Sequence, residues 1–383
     1  MQRGEHGVKN MLYSTKKLQK TERYKEYISL RDKCYKSSLS KEQKQKDFLD
    51  KISFVNQQTG EIVKKSHSFK KEHKKYTKSI EQKVYAIEEI ARRKRLKPIF
   101  ITLTLPSQFH PFKGVKIHNK HMYVAYNNEF AFDTIEDAIK NGYDYLQHIY
   151  RVFYKRVKKQ VGSELLYIKV VEMHKTLIPH FHILFYVSAE NRLLVKKIFD
   201  KIVNEFELEQ TDFDMLDGTQ NGVKTGINRA SKYLMKYVTK QLKNEADFFT
   251  ARLIDGWKKA NKIRTITMSN LPLSLGDFRT IYHGISSEEK EKLLKLAKKE
   301  KVNLFYFLMS NLYTLKIQYR ENGKRVLNNY IHDKLFTLIK VQTRSKTEGG
   351  YSYKTDSFTF FINRKLVYKK IQYKKIYIGD YYE

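Results

Sequence analysis

The sequence predicts an α+β protein: a central antiparallel β-sheet flanked by helices, with a basic, mostly helical N-terminal region and a β-rich C-terminal region. Three observations predict it. The apolar, β-branched run IFITLTL at 99–105 is bounded by Pro106 and reads as a buried strand. A long helical pattern follows, and then two apolar runs joined by a five-residue loop, LLYIKVVEMH (165–174) and HFHILFYV (180–187). Helices and hairpins therefore segregate, and the middle of the chain reads β–α–ββ–α–α–β, which suits an antiparallel sheet and not a doubly wound one.

Each element has its own signal. Residues 1–80 are Lys-rich with weak helical periodicity, and EQKVYAIEEIARRKRLK is a helix whose basic end stops near Pro98. The segment DTIEDAIKNGYDYLQHIYRVFYKRVKKQ places Leu146, Ile149, Tyr150, Phe153 and Val157 at spacings of three and four. NRLLVKKIFDKIVNEFE and RASKYLMKYVTKQLK (229–243) are further amphipathic helices, and KIRTITMS (262–269) is a strand. SSEEKEKLLKLAKKEK (286–301) is a helix opened by a capping serine, and from about residue 311 short strands alternate with turns such as ENGK. A chain of 383 residues holds two to three domains at about 150 residues each. The expected division is 1–80, 81–285 and 286–383.

The charge points to a polyanion. There are 75 Lys and Arg against 41 Asp and Glu, a formal net charge of +34, and nucleic acid is the partner such a field attracts. The flanks carry most of it per residue: 1–100 have a net +15 and 281–383 a net +11, against +8 for 101–280. The single cysteine, Cys34, excludes a disulfide framework and any cysteine-ligated zinc or iron–sulfur module. No apolar stretch has the length of a membrane span, and MQRGEHGVKN is not followed by a signal-peptide core. The expectation is a soluble protein of a reducing cytoplasm. A 14% aromatic content argues against disorder, and five prolines with 16 glycines leave little room for long linkers.

Three segments carry residues suited to chemistry. In PHFHILFYV, His180 and His182 share one strand face. If the hairpin closes symmetrically about Leu177, Glu172 lies opposite His182 and His174 opposite His180. Two imidazoles and a carboxylate on one patch suit a divalent metal. With 12 histidines in the chain, about 0.4 His-x-His pairs arise by chance, so the spacing alone does not define a site. In KYLMKYVTKQ, Tyr233 and Tyr237 stack at i and i+4, and Lys236 and Lys240 each follow a tyrosine by three. A phenol is a weak nucleophile at its free pKa of about 10, and an ammonium or a metal-bound phosphate eases its attack. In FITLTLPSQFHP, Thr102 and Thr104 share a face, while His110 is a lone loop histidine with little to recommend it as a ligand.

In this order the three segments resemble the motifs of the HUH endonuclease superfamily, and more narrowly the two-tyrosine bacteriophage replication gene A proteins. FITLTLPSQFHP is similar to that family's first motif, EMHKTLIPHFHILF to its metal motif and KYLMKYVTKQ to its paired-tyrosine motif. YLQHIYRVFYKRV and GWKKANKIRTIT add weaker likeness, and the resemblance spans about residues 81–285. It implies an RRM- or palm-like sheet and a rolling-circle replication initiator of a phage, prophage or plasmid. It also implies that His180, His182 and Glu172 bind Mg²⁺ or Mn²⁺. Tyr233 or Tyr237 would attack a DNA strand to give a 5′-phosphotyrosine and a free 3′-hydroxyl, with Lys236 and Lys240 neutralising phosphate. His174 shares the metal face and leaves the ligand count open. The partners would be single-stranded or locally melted origin DNA, a host polymerase and, because no Walker-type motif is present, a host helicase.

Two other readings stay open at this point. The same chemistry serves single-strand transposases and relaxases, although one cysteine and 383 residues leave little for their usual extra modules. A non-catalytic single-strand binder with exposed aromatics on an RRM-like sheet would need no metal and form no covalent adduct.

Overall fold

A computed structural model of the chain describes residues 16–55, 62–117, 121–216, 219–220, 223–224, 227–239, 248–320, 323–327, 336–347, 350–362 and 365–371. The fold is α+β, as the sequence implies. Its contacts group into two units, Met1–Val84 with Lys94–Ser269 and Tyr85–Arg93 with Asn270–Glu383. The boundaries expected at 80 and 285 are not those that packing draws.

The first described long helix, α1 (Glu22–Asp50), is capped by Thr21, whose hydroxyl accepts from the Tyr24 N–H. It buries Tyr24, Tyr27, Leu30, Arg31, Cys34 and Ser38. That stripe holds a single aliphatic residue, Leu30, among tyrosine, cysteine and polar residues, which is why residues 1–80 read as only weakly periodic. The four hydrophobic members belong to the same core as the sheet, so α1 is part of the first unit and not a separate domain.

Helix α2 (Phe69–Arg93) ends at a turn in which Arg95 takes φ +57°. Strand β1 (Lys97–Leu103) follows, and Pro98 sits inside it, paired only to one neighbour, where a missing N–H costs no ladder bond. A hairpin of β2 (Phe112–Ile117) and β3 (His121–Tyr126) comes next. The sequence conceals it because lysine and glycine break its alternation. Helix α3 (Ile135–Val161), capped by Thr134, buries Leu146, Ile149, Tyr150, Phe153 and Val157, the stripe its spacing predicts. Strands β4 (Leu166–Met173) and β5 (Pro179–Val187) form the expected hairpin. Then come α4 (Arg192–Glu205), β6 (Asp212–Asp214), α5 (Ile227–Thr239), α6 (Phe248–Ala260) and β7 (Ile266–Met268).

The five strands pair in the order β7-β4-β5-β1-β6, every neighbour antiparallel. Strand alternation gives the sheet two faces. Ile99, Ile101 and Leu103 of β1 and Phe181, Ile183, Phe185 and Val187 of β5 enter the main core beside Phe153 of α3 and Ile202 of α4. Each such large apolar side chain contributes on the order of 2 kcal/mol by burial. The other face carries Phe100, Thr102, Glu172, His180 and His182, and α5 lies on it, with Phe100 in ring contact with Tyr233 and Tyr237.

The second unit has its own core. Leu273, Ile281, Leu293, Phe305, Phe307, Phe336, Leu338 and Phe360 pack together there. They come from α7 (Leu275–Gly284), α8 (Ser287–Lys299), α9 (Leu304–Asn311) and the segment before α7, with a second five-stranded sheet. Its strands are β8 (Leu312–Arg320), β9 (Gly323–Leu327), β10 (Phe336–Thr347), β11 (Gly350–Ile362) and β12 (Lys365–Ile371), in the order β9-β8-β10-β11-β12. The β8–β10 pair is parallel and the rest antiparallel. Ser286 caps α8, as its sequence implies. Among the described residues no helix is long and apolar enough to cross a membrane.

Candidate active site

The site grows out of the β4–β5 hairpin. The register differs from a closure about Leu177: Glu172 pairs with His180, and His182 with Val170. The turn is centred one residue earlier, with the His174 N–H donating to the Ile178 carbonyl at 2.9 Å. Leu177 adopts φ +70°, a left-handed conformation that the sequence does not advertise for a leucine. Its side chain is buried, and the Trp257 indole N–H donates to its carbonyl at 2.9 Å. The Tyr27 hydroxyl donates to the Lys175 carbonyl at 2.9 Å. Two helices, α1 and α6, therefore set the turn. Because the shift is even, Glu172, His174, His180 and His182 stay on one face.

The face resolves into two clusters. In the first, His182 is buried and its Nε2 lies 2.8 Å from Glu172 Oε2. Its Nδ1 lies 3.3 Å from Thr102 Oγ1. The arrangement that serves both is Nε2–H donating to the carboxylate and the threonine hydroxyl donating to Nδ1. Thr102, singled out only as a polar residue on the first strand, thus orients a site histidine. The ring of His182 stacks on Tyr237 at 3.7 Å between centroids, and more distantly on Phe100 at 5.9 Å.

Tyr237 and Tyr233 stand together on α5, as their spacing implies. The Tyr237 hydroxyl donates to the Tyr233 oxygen at 3.0 Å, and the ring centroids are 5.6 Å apart. Tyr237 is half-buried and Tyr233 is exposed. Burial raises the Tyr237 phenol above its ordinary value; its hydrogen bond to Tyr233 and the charges of Glu172 and Asp212 act in the same direction. Lys236 is exposed, with Nζ 5.9 Å from the Tyr233 ring centroid. Lys240 lies outside the described residues.

The second cluster contains the residue the sequence did not favour. His110, His174 and His180 each offer a ring nitrogen, and the three lie within 4.8 Å of one another. The His174 and His180 rings are parallel at 4.8 Å, and His110 meets them edge-on at 6.1 and 5.9 Å. His180 Nε2 is buried and has no hydrogen-bond partner. Burial, then the neighbouring histidines, holds the His180 pKa well below the usual imidazole value, and burial also lowers that of His110. Both rings are therefore neutral near pH 7, with lone pairs to offer a cation. His110 was hard to select because its placement depends on Asn127, far along the chain. That buried amide donates to the Ser107 and His110 carbonyls, each at 2.9 Å, and fixes the SQFH turn.

Neutral imidazoles with a carboxylate beside them are a donor set that divalent first-row metals accept. The unpartnered His180 nitrogen is the atom most in need of a ligand. The face so built has paired phenols, a carboxylate–imidazole pair and a histidine cluster, all on the sheet surface opposite the main apolar core.

Comparison with known proteins points to the same family as the sequence resemblance. A sequence profile of the bacteriophage replication gene A proteins matches residues 10–245. The chain is 25% identical over 166 residues to a protein called "Replication protein" from Haemophilus phage HP1 (strain HP1c1). That alignment covers 41% of this chain and 18% of the phage protein, so less than a fifth of the relative's length is represented. No solved structure matches the chain.

Proposed function

The chain belongs to the bacteriophage replication gene A protein family, and from that premise we propose that it initiates rolling-circle replication by nicking and rejoining one DNA strand through tyrosine. The observation that carries the proposal is the stacking of Tyr237 on His182 at 3.7 Å, with Tyr233 hydrogen-bonded beside it. Two phenols meet the imidazole and carboxylate face at one point.

In the reaction one phenol oxygen attacks a backbone phosphorus. A tyrosine–phosphorus bond to the 5′ side forms, the bond to the 3′ oxygen breaks, and the phenolic proton ends on the released 3′-hydroxyl. The reverse attack by a 3′-hydroxyl rejoins the strand, and a second phenol within reach lets one protein open and close a round. The high pKa of Tyr237 marks the barrier: the phenol must lose a proton in a buried setting beside Glu172 and Asp212. Mg²⁺ or Mn²⁺ bound on the face of Glu172, His180 and His182 would offset that negative charge and polarise the phosphate. Lys236, exposed beside Tyr233, neutralises a phosphate at the entrance, and Lys240 is assigned the same task from its place in the motif. The net charge of +34 supplies backbone affinity. Single-stranded origin DNA is the substrate, with a host polymerase and helicase as partners in the host cytoplasm.

The test is covalent capture. Incubation with single-stranded replicon DNA and Mn²⁺ should give a denaturation-resistant protein–DNA band. Tyr233→Phe and Tyr237→Phe each retain some adduct, and the double variant forms none; phenylalanine keeps the ring packing. A 5′-linked nucleotide mapped reproducibly to a tyrosine outside this pair refutes the proposal.

A further inference from the structure

We propose that the groove between α3 and α4 is a docking site for a protein partner, specifically for an acidic polypeptide segment that carries aliphatic side chains. It concerns a surface apart from the tyrosines and needs neither metal nor DNA, so it stands independently of the nicking reaction.

The groove follows from the residue pattern of the two helices. The inward stripe of α3 ends on Phe153, Val157 and Val161, and that of α4 runs through Val195, Ile198, Phe199 and Ile202. The basic residues between those positions are turned outward. Arg156 and Lys159 of α3 line one wall of an open groove of about 690 Å³, and Lys197 and Lys201 of α4 line the other. Lys197 and Lys201 are one turn apart on a single ridge, and Leu193, 67% exposed, continues that ridge at the same spacing. Half-buried Leu194 and buried Ile198 form the floor. Arg156 is already held by Glu205 through two hydrogen bonds of 2.6 and 3.0 Å. Lys159, Lys197 and Lys201 are exposed and make no ion pair among the described residues.

Three free ammonium groups call for carboxylates or phosphates, and the rest of the lining decides between them. No aromatic side chain lines the groove, whereas single-strand sites stack bases on aromatic rings. Leu193, Leu194 and Ile198 gain little from a phosphate backbone, while aliphatic side chains of a peptide bury against them. The groove also presents acceptors, the Gln160 amide oxygen and the Asp200 carboxylate, the latter accepting from Lys196. A peptide backbone has N–H donors to offer both; a phosphodiester backbone has none, and Asp200 repels it. An acidic segment with apolar side chains between its carboxylates therefore meets the cations, the floor and the acceptors together. Helices α3 and α4 cover the apolar face of the sheet, and Tyr233 and Tyr237 lie on the other face against Phe100. An occupant of the groove leaves the tyrosine face open.

The experiment measures fluorescence anisotropy with the full chain at about 0.15 M salt, where surface charge is screened. The probe is a fluorescein-labelled peptide of Glu with interspersed Leu. Its controls are the same peptide with Ser for each Leu, and labelled oligo-dT. The Leu peptide should bind roughly tenfold more tightly than the Ser peptide. Combined Lys159→Ala, Lys197→Ala and Lys201→Ala should weaken it by roughly tenfold or more, and Leu193→Ser by roughly threefold. A charge-matched variant on the exposed faces of α1 and α2, Lys44→Ala with Lys71→Ala and Lys74→Ala, should keep peptide binding within about twofold of wild type. Oligo-dT binding should fall equally in the two triple variants. Equal peptide loss in both triple variants overturns the proposal, as does equal affinity for the Ser peptide. A selective loss of oligo-dT binding in the groove variant also overturns it and assigns the groove to nucleic acid. Circular dichroism identifies a variant that fails to fold, and a wild-type measurement then decides: a photo-crosslinking form of the Leu peptide should attach within 156–160 or 193–201, and attachment elsewhere refutes the docking site.

Discussion

Gly256 offers a direct test of how the scaffold holds the site. It lies on α6 where that helix crosses α1, and a Cβ added there would stand 1.9 Å from the Cys34 carbonyl oxygen and 2.5 Å from its carbon. Those are backbone atoms, so no side-chain rotation relieves the clash, and the helices must part by about 1 Å or more to restore contact distance. Overpacking of this kind costs about 1–3 kcal/mol, and here the displaced helix carries two further loads. Trp257, the next residue, is fully buried and donates to the Leu177 carbonyl, while the Ser38 hydroxyl on α1 donates to Asp255 at 3.1 Å. Gly256→Ala should therefore destabilise the first unit by about 2–4 kcal/mol and loosen the hairpin turn that places His174. The chain has one tryptophan, so urea unfolding followed by Trp257 fluorescence reports on this crossing alone. The variant should unfold at lower urea, with a shifted emission maximum before the transition. A midpoint equal to wild type with unchanged emission would refute the claim that this backbone approach sets the turn.

Two further outcomes follow from the same unit. Lys169 is buried between Tyr150 and Phe181, its Nζ 4.3 and 4.4 Å from their ring centroids and hydrogen-bonded to Gln147, and burial pulls its pKa down to about 7. The unfolded chain binds that proton up to pH of about 10.4, so stability should rise with pH between about 7 and 10. Lys169→Met should flatten that slope and stabilise the protein at pH 7, by on the order of 4 kcal/mol at most; an unchanged slope in urea melts across this range would exclude Lys169 as its source. A fragment of residues 81–285 should lose cooperative unfolding, because it lacks Tyr24, Tyr27, Leu30 and Cys34 of the shared core, whereas a sharp Trp257 transition in that fragment would show α1 to be dispensable.

The sequence carried the periodic parts of this protein and lost the parts set by distant backbone. The α3 stripe and the strand runs of β1, β4 and β5 were legible because each repeats one residue class at one period. Tyr233 and Tyr237 were legible because helical spacing alone brings them together. The hairpin register was not: it depends on a leucine at φ +70° held by Tyr27 and Trp257, about 150 and 80 positions away. His110 was lost for the same reason, since Asn127 fixes its turn. The role of α1 was hidden by composition, because its buried face uses tyrosine, cysteine and serine where a hydrophobicity pattern looks for aliphatics.

These misses share a cause, and it bears on how the site works. The sheet face toward α3 and α4 is apolar apart from Lys169 and is satisfied by packing, so its apolar residues announce themselves. The face toward α5 carries polar groups, and each is held by a partner on another element: His182 by Thr102, the His174 loop by Tyr27, the His110 turn by Asn127. One-sided burial with long-range polar support is costly to assemble and yields fixed geometry, which the proposed attack by a phenol on a phosphate would require. The tyrosines lie on the single helix α5, so one shift of that helix would move both phenols across a phosphate. The histidines and Glu172 are tied to the sheet or to loops anchored on its scaffold. If the two phenols act as proposed, their alternation at one stationary centre would follow from the division between a strand-bound polar patch and a helix-bound pair.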